Sequence, residues 1–559
     1  MNDSLRRAYE DGIVNLYLKY LRENHKDPTS KEFSDYLQFS DVDRENGVTS
    51  WKQIFKNISE VRAMAMVGHE DEISELTFNE EDFRTADYQE QMQEAIRTHK
   101  RFIVSTAVNN KPVDMDFLAS LKNYARKNDA VMLWVPAHDV RSAKRVFQWN
   151  FDPALKCGFV ITKDTAVNEN CMISGIVASA KQLRPLTGIA RFCSQFDKTI
   201  VFPGCKFLLQ GIARMSHVQT PHKAITPGAV TLPDYSSDQI IAGRTNYIAE
   251  RDHQIGAAII EIEDNKRFHI RLVQAAEDGS FIDLNVKYNP DDTIESAENT
   301  TFVLGDSHVG GTDVPLLKAI LSLCRDSNVI TELVLHDIDN SASVSHHEDN
   351  DLVKRVLRNK EGSDDLKAEV NEVVEYLNQL TELPNMNITV VNSNHDRHIE
   401  RWVREGRAFN NRDYKNMGIF FKLGLAMFEK DVTNPVQFLV ENIADVQLNH
   451  PDKIKWLGRD ESYKKYGVEL GVHGDEGANG GRGSLRTYAN TLYKAVVAHS
   501  HSGGILHNIV QVGTTSKFDM GYNHGLSSWS HSCCLVYNNG ATQLIEFIPN
   551  EDGEYTYHA

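Results

Sequence analysis

From residue 300 onward one arrangement recurs five times. An apolar, strand-like run passes straight into a loop that carries aspartate, histidine or asparagine. The five are Thr301-Phe302-Val303-Leu304-Gly305-Asp306-Ser307-His308, Leu333-Val334-Leu335-His336-Asp337-Ile338-Asp339-Asn340, Ile388-Thr389-Val390-Val391-Asn392-Ser393-Asn394-His395-Asp396, Val468-Glu469-Leu470-Gly471-Val472-His473-Gly474 and Ala495-Val496-Val497-Ala498-His499-Ser500-His501. Open α/β folds place their chemistry in loops at strand ends. In an extended segment, the i, i+2 spacing of Asp306 and His308 lets both side chains address one ion. Each element alone is weak; five in order point to one centre. The donors are oxygen and imidazole without thiolate, which suits Mn²⁺, Fe²⁺ or Zn²⁺ and not a structural zinc cage. A carboxylate shared between two cations permits a two-metal centre.

The order of these motifs resembles that of the calcineurin-like metallophosphoesterase superfamily, which reads D-x-H, G-D-x-x-D, G-N-H-[DE], H and G-H-x-H. The match covers residues 300–545. By this resemblance Asp306, His308 and His501 are ligands of a first metal, Asp337 is the bridging carboxylate, and Asn394, His473 and His499 are ligands of a second. His395 is the general acid and Asp396 its orienting partner. A metal-bridging hydroxide is the implied nucleophile. Two divalent ions are expected, Mn²⁺ first, with Mg²⁺, Fe²⁺ or Zn²⁺ as alternatives. The chain departs from the pattern at His336, Ser393 and Ala498, each standing where the family has glycine, and at Asn340, which stands for aspartate. None of these removes a ligand. The motif order is similar to the SbcD-like nuclease branch, although the long N-terminal extension departs from that plan. The whole chain also resembles the pre-early host-DNA-degrading proteins of large tailed phages. The resemblance implies a two-metal phosphodiesterase acting on DNA; the alternative on the same ligand set is a phosphomonoesterase of protein or nucleotide substrates.

Length allows several domains: 559 residues at roughly 150 per domain suggest three or four. The expected fold class is α/β, in an α+β multidomain arrangement. It comprises a helical region with an acidic linker (1–90), a basic α/β accessory domain (91–250), an antiparallel β connection (251–299) and a catalytic β-sandwich flanked by helices (300–559). Leu5 to Tyr20 has helical spacing, and Ser30-Lys31-Glu32-Phe33 and Thr49-Ser50-Trp51-Lys52 read as caps. Glu70–Glu90 holds nine carboxylates and one arginine, hence the linker reading. Ala257–Ile262 is expected to pair with Arg267–Val273 across Glu263–Lys266.

The net charge of −18 seems to disfavour a polyanionic partner, but residues 101–230 hold 17 Lys+Arg against 8 Asp+Glu. Lys122, Arg126 and Lys127 share a predicted helix, and Arg141, Lys144, Arg145, Phe147 and Trp149 follow. Cations near aromatics suit phosphate neutralisation and base stacking, so DNA is the expected partner. Arg397 and Arg482 are further candidate substrate contacts, and His346-His347 reads as a plain acidic surface loop. Seven scattered cysteines with no CxxC pair argue against a disulfide framework, and no apolar run is long enough to span a membrane. The expectation is a cytoplasmic protein (of the host, if phage-encoded) that forms a homo-oligomer and has no membrane partner.

Overall fold

The computed structural model describes residues 3–24, 28, 30–55, 61–62, 64–65, 69, 75–139, 149–215, 220–233, 235, 243–348, 350–411, 413–430, 432–521 and 523–556. The fold is mixed α/β. Its centre is a six-stranded sheet in the order Ile454–Trp456, Asn387–Val390, Ile330–Leu335, Thr300–Val303, Ser532–Val536, Thr542–Glu546. The first four strands run parallel, Ser532–Val536 is antiparallel to Thr300–Val303, and Thr542–Glu546 is antiparallel to Ser532–Val536. Side chains alternate between faces along each strand. Phe302, Leu304, Leu333 and Leu335 point to one core, where the helices Val314–Asp326, Leu366–Thr381, Asp396–Arg404 and Pro435–Asn442 cover the sheet. Val303, Val334, Cys534 and Val536 point to a second core shared with two further sheets.

One of these sheets has ten strands. Lys464–Lys465, Val468–Glu469, Ala495–Val497, Ile509–Gln511 and Gly504–Leu506 come from the C-terminal part; Phe207–Ile212, His222–Pro227, Thr199–Val201, Cys171–Ile173 and Thr165–Asn168 come from the basic block. The junction is antiparallel, with Leu209 opposite Ile505. Hydrogen bonds therefore cross the boundary drawn at residue 250, because strand periodicity reveals strands but not their partners.

The third sheet is built on a strand–helix–strand unit. Arg101–Val108 and Ala130–His138 pair in parallel, joined by the helix Met115–Asn128. Asp114 caps that helix by accepting from Phe117 N at 3.0 Å, and Asp129 ends it in the left-handed region. Gly256–Ile262 pairs with Phe268–Gln274 as expected, Ile260 facing Ile270, and also with Arg101–Val108. Residues 256–274 thus belong to this sheet and do not form a separate connection. Only Phe281–Asp283, Val286–Tyr288 and Ile294–Ser296 make a small sheet of their own.

The N-terminal helix Asp3–Asn24 includes the stretch with helical spacing, and Tyr17, Phe33 and Trp51 are buried in one cluster. Part of the stretch read as an acidic linker is folded. Phe78 and Phe83 are buried against Phe151, and Asn79 closes a capping box with Asp82. Two aromatic anchors outweigh the surrounding carboxylates there. No helix among the described residues is long and apolar enough to cross a membrane.

Candidate metal centre

All seven candidate ligands lie just beyond the C-terminal ends of strands. Asp306 and His308 follow Thr300–Val303, Asp337 follows Ile330–Leu335, and Asn394 follows Asn387–Val390. His473 follows Val468–Glu469, and His499 and His501 follow Ala495–Val497. The two sheets that supply them share a core, so their strand ends converge.

Main-chain hydrogen bonds knit the loops. His308 N donates to Asp337 O at 2.8 Å and Asp306 N to Gly513 O at 3.2 Å. Gly305 is required by this approach, since a Cβ there would stand 2.6 Å from the Gly513 carbonyl. Four of the seven candidate ligands have left-handed backbones: His308 (φ 41°), Asp337 (φ 43°), His499 (φ 71°) and His501 (φ 59°). Non-glycine residues in sparsely populated regions cost roughly 1–3 kcal/mol each, and such positions cluster at functional sites.

The donor atoms converge tightly. His501 Nε2 is 3.0 Å from Asp306 Oδ2 and 2.9 Å from His308 Nε2. His473 Nε2 is 3.4 Å from Asp337 Oδ2 and 2.7 Å from Asn394 Oδ1, which also lies 2.9 Å from His499 Nδ1. Asp306, His308 and His501 form one set whose donor atoms lie within 4.8 Å of one another; Asp306, Asp337 and His473 form a second. His395 falls in a third such set with His308 and Asp337. Asp306, His308, Asp337 and His473 are buried, and the Nδ1 atoms of His308, His473 and His501 find no hydrogen-bond partner among the described residues. Buried donors of this kind cost free energy unless something satisfies them. The chemistry and convergence fit divalent cations.

Electrostatics support the same reading. Burial works to raise the carboxyl of Asp306, but His473 and His501 hold it far below the usual range. Asp337 behaves likewise: burial is outweighed by His395 and His473. Burial opposes charge on His473, yet Asp337 and Asp306 lift its imidazole to about 9. Burial, helped by His395, lowers His308 to about 3.

Asp396 requires a correction. Its carboxylate accepts from Ser393 N at 3.0 Å, whereas His395 Nδ1 donates to the Asn340 carbonyl at 2.8 Å. The expected Asp396–His395 pairing is replaced by a main-chain acceptor. A sequence motif cannot display such an acceptor, since any residue has a carbonyl. Burial followed by the neighbouring Asp337 raises the Asp396 carboxyl well above its ordinary value.

A cavity of about 710 Å³ opens over the cluster, and Asp337, Asn394, His395, His499 and His501 line it. Arg482 lines it too. Arg397 instead pairs with Glu476 and is not among the lining residues. Lys122, Arg126 and Lys127 are exposed on the Met115–Asn128 helix, away from the lining, and Arg126 pairs with Asp292. Trp149 stacks on Phe151 at 5.5 Å, and Arg141, Lys144, Arg145 and Phe147 lie outside the described residues. The sequence reading missed Lys354 and Arg358, which line the cavity from the helix Leu352–Glu361. Their i, i+4 spacing, which puts both on one helix face, was the available signal. His347, read from sequence as part of a plain surface loop, lines the cavity, and so does His398, which with Arg397 follows His395 in the chain as a candidate phosphate contact.

No protein-family model and no solved structure matches the chain. Protein A1 of Escherichia phage T5 is similar, with 25% identity over 479 residues, covering 81% of this chain and 82% of that protein. The matched length exceeds the whole stretch from residue 300 to the end, so the likeness also takes in part of the N-terminal blocks. The chain thus has a phage-encoded relative.

Proposed function

We propose that the chain is a divalent-metal-dependent phosphodiesterase that hydrolyses DNA. The observation that carries this reading is the convergence of seven oxygen and imidazole donors from five strand ends beneath a cavity bordered by Lys354, Arg358 and Arg482. Asp306, His308 and His501 would hold one ion and Asn394, His473 and His499 a second, with Asp337 between them. When bound, two such ions bring a water toward neutral pKa and offset charge on phosphoryl oxygens. Mn²⁺ is our first choice of metal, with Mg²⁺, Fe²⁺ and Zn²⁺ as alternatives.

The protein's own groups supply the rest. Because the Asn340 carbonyl can only accept, His395 keeps its proton on Nδ1 and turns Nε2 away from that carbonyl. That is the orientation a general acid needs when an alkoxide leaves. Lys354, Arg358 and Arg482 place positive charge along the wall where a phosphodiester backbone would lie. Lys122 and Lys127, exposed on the Met115–Asn128 helix, extend the proposal to flanking DNA. The order of motifs supports membership of the calcineurin-like superfamily and its SbcD-like branch, with the two core-sharing sheets as its sandwich. The phage relative supports a place of action in the host cytoplasm, and we propose assembly as a homo-oligomer.

The test uses purified full-length protein with linear and circular duplex DNA, with Mn²⁺ or with chelator, beside a chromogenic phosphomonoester. Metal-dependent loss of DNA is expected, and Asp337→Ala should abolish it together with metal binding at the seven-ligand centre. Rapid monoester turnover with intact DNA would sink the nuclease reading.

A further inference from the structure

Beside the centre just described stands a second histidine cluster that the sequence treats as two unrelated features. His346 and His347 lie on a short 3-10 turn in the acidic loop after the second motif. His398 lies in the first turn of the helix Asp396–Arg404. The fold brings the three imidazoles together. Ring centroids are 3.9 Å apart for His346 and His347, 4.9 Å for His346 and His398, and 5.4 Å for His347 and His398. One ring nitrogen from each lies within 4.8 Å of the other two. A packing role does not account for them, because rings held only for packing leave polar atoms to be satisfied. Here His398 is 6% exposed, and its Nδ1 and that of His346 are buried without a hydrogen-bond partner among the described residues.

We propose that His346, His347 and His398 bind an additional divalent ion, distinct from those held by the seven strand-end ligands. Three imidazoles with no carboxylate select the borderline cations, Zn²⁺, Co²⁺ or Ni²⁺, over Mg²⁺ or Ca²⁺. Three protein ligands leave a coordination position open. No ligand carries negative charge, so the bound ion keeps its full +2. His347 and His398 both line the cavity, on the wall that also holds Lys354 and Arg358. The site therefore faces the same space as the metal centre, and its open position suits an anionic oxygen of a bound substrate. This last role rests on the phosphodiesterase reading; the binding of the ion does not.

The experiment titrates chelator-treated full-length protein with Co²⁺ and follows visible absorption and bound metal. A three-histidine site gives low-coordinate Co²⁺ with intense visible bands, whereas oxygen-rich, higher-coordinate sites give weak ones. The wild type should show one intense equivalent in addition to weaker ones. His346→Gln/His347→Gln should lose the intense equivalent alone. His347→Gln by itself, altering one exposed side chain, should weaken it by at least about tenfold. Asp337→Ala should keep the intense equivalent while losing weak ones. Identical stoichiometry and spectra in wild type and the double variant would overturn the proposal, as would loss of the intense band in Asp337→Ala. Intact DNA in a fully loaded sample would sink the nuclease reading and leave this site standing.

Discussion

His395 Nδ1 donates to the main-chain carbonyl of Asn340 across 2.8 Å, so a residue that departs from the metallophosphoesterase motif holds the candidate acid through its backbone. The side chain at position 340 is then free to vary, while the imidazole is not. His395→Ala should lower the rate of DNA cleavage by about 10²–10⁴-fold with metal content unchanged. Asn340→Ala should stay within about threefold of wild type, the range of a neutral substitution. Cleavage rates and metal analysis on the same preparations check both. A His395→Ala rate within a few fold would remove its assigned role.

Ser393, which stands where the metallophosphoesterase motif has glycine, has a structural task. Its hydroxyl accepts from Asp337 N at 2.9 Å and donates to Val391 O at 3.0 Å, with the residue fully buried. This bond holds Asp337, whose left-handed backbone needs such support. Ser393→Ala leaves a buried N–H unsatisfied and should cost about 1–3 kcal/mol of stability. Metal affinity should fall about 10–100-fold, the usual effect of removing a group that orients a ligand. Thermal melts with and without Mn²⁺ measure the two effects, and an unchanged gain in Tm on adding metal would contradict the second.

The strand-end residues are legible in sequence because two local signals coincide there. Period-two burial marks the strand, as Phe302 and Leu304 face the helices while Val303 faces the other sheet. The polar donor then appears abruptly, two to four residues past the strand end. Partners far apart in the chain leave no such mark. Leu209 facing Ile505, or His346 meeting His398, depends on how the sheets and helices pack. Backbone acceptors are equally silent, which is why Asp396 was an attractive but incorrect partner for His395. Charge counting had a similar weakness. It located the cations of the Met115–Asn128 helix but could not show that Lys354 and Arg358 stand nearer the candidate centre.

The two sets of cations should separate in experiment. Lys354→Ala/Arg358→Ala/Arg482→Ala removes charge from the cavity wall and should lower kcat. It should also reduce the slope of log K for DNA against log salt by up to about 3. Lys122→Ala/Lys127→Ala should reduce that slope by about 2 without changing kcat at saturating DNA. Arg126, paired with Asp292, is expected to add little. Binding measured by fluorescence anisotropy from low to moderate salt gives both slopes. An unchanged slope in the second variant would return that helix face to a solvated surface.

A pH effect on stability is expected far from the metal centre, at His253. Its Nε2 lies 2.8 Å from the Thr231 carbonyl and so carries a proton, leaving Nδ1 to accept from Tyr235 Oη at 3.0 Å. Burial lowers the imidazole to about 4, and the Thr231 carbonyl offsets only part of this. A second proton would abolish the bond from Tyr235. Because the folded value lies below the ordinary one near 6.5, the unfolded chain takes up the proton first as pH falls. The stabilisation is therefore complete above about pH 6.5 and is lost progressively toward pH 4, by at most about 3 kcal/mol at 1.36 kcal/mol per unit. Other histidines titrate over the same range, so the quantity to measure is a difference. Urea midpoints of wild type and His253→Gln at pH 7.5 and pH 5 should converge as the pH falls, since the variant has no imidazole to protonate. Parallel loss in both proteins would show that His253 is not held neutral by the fold.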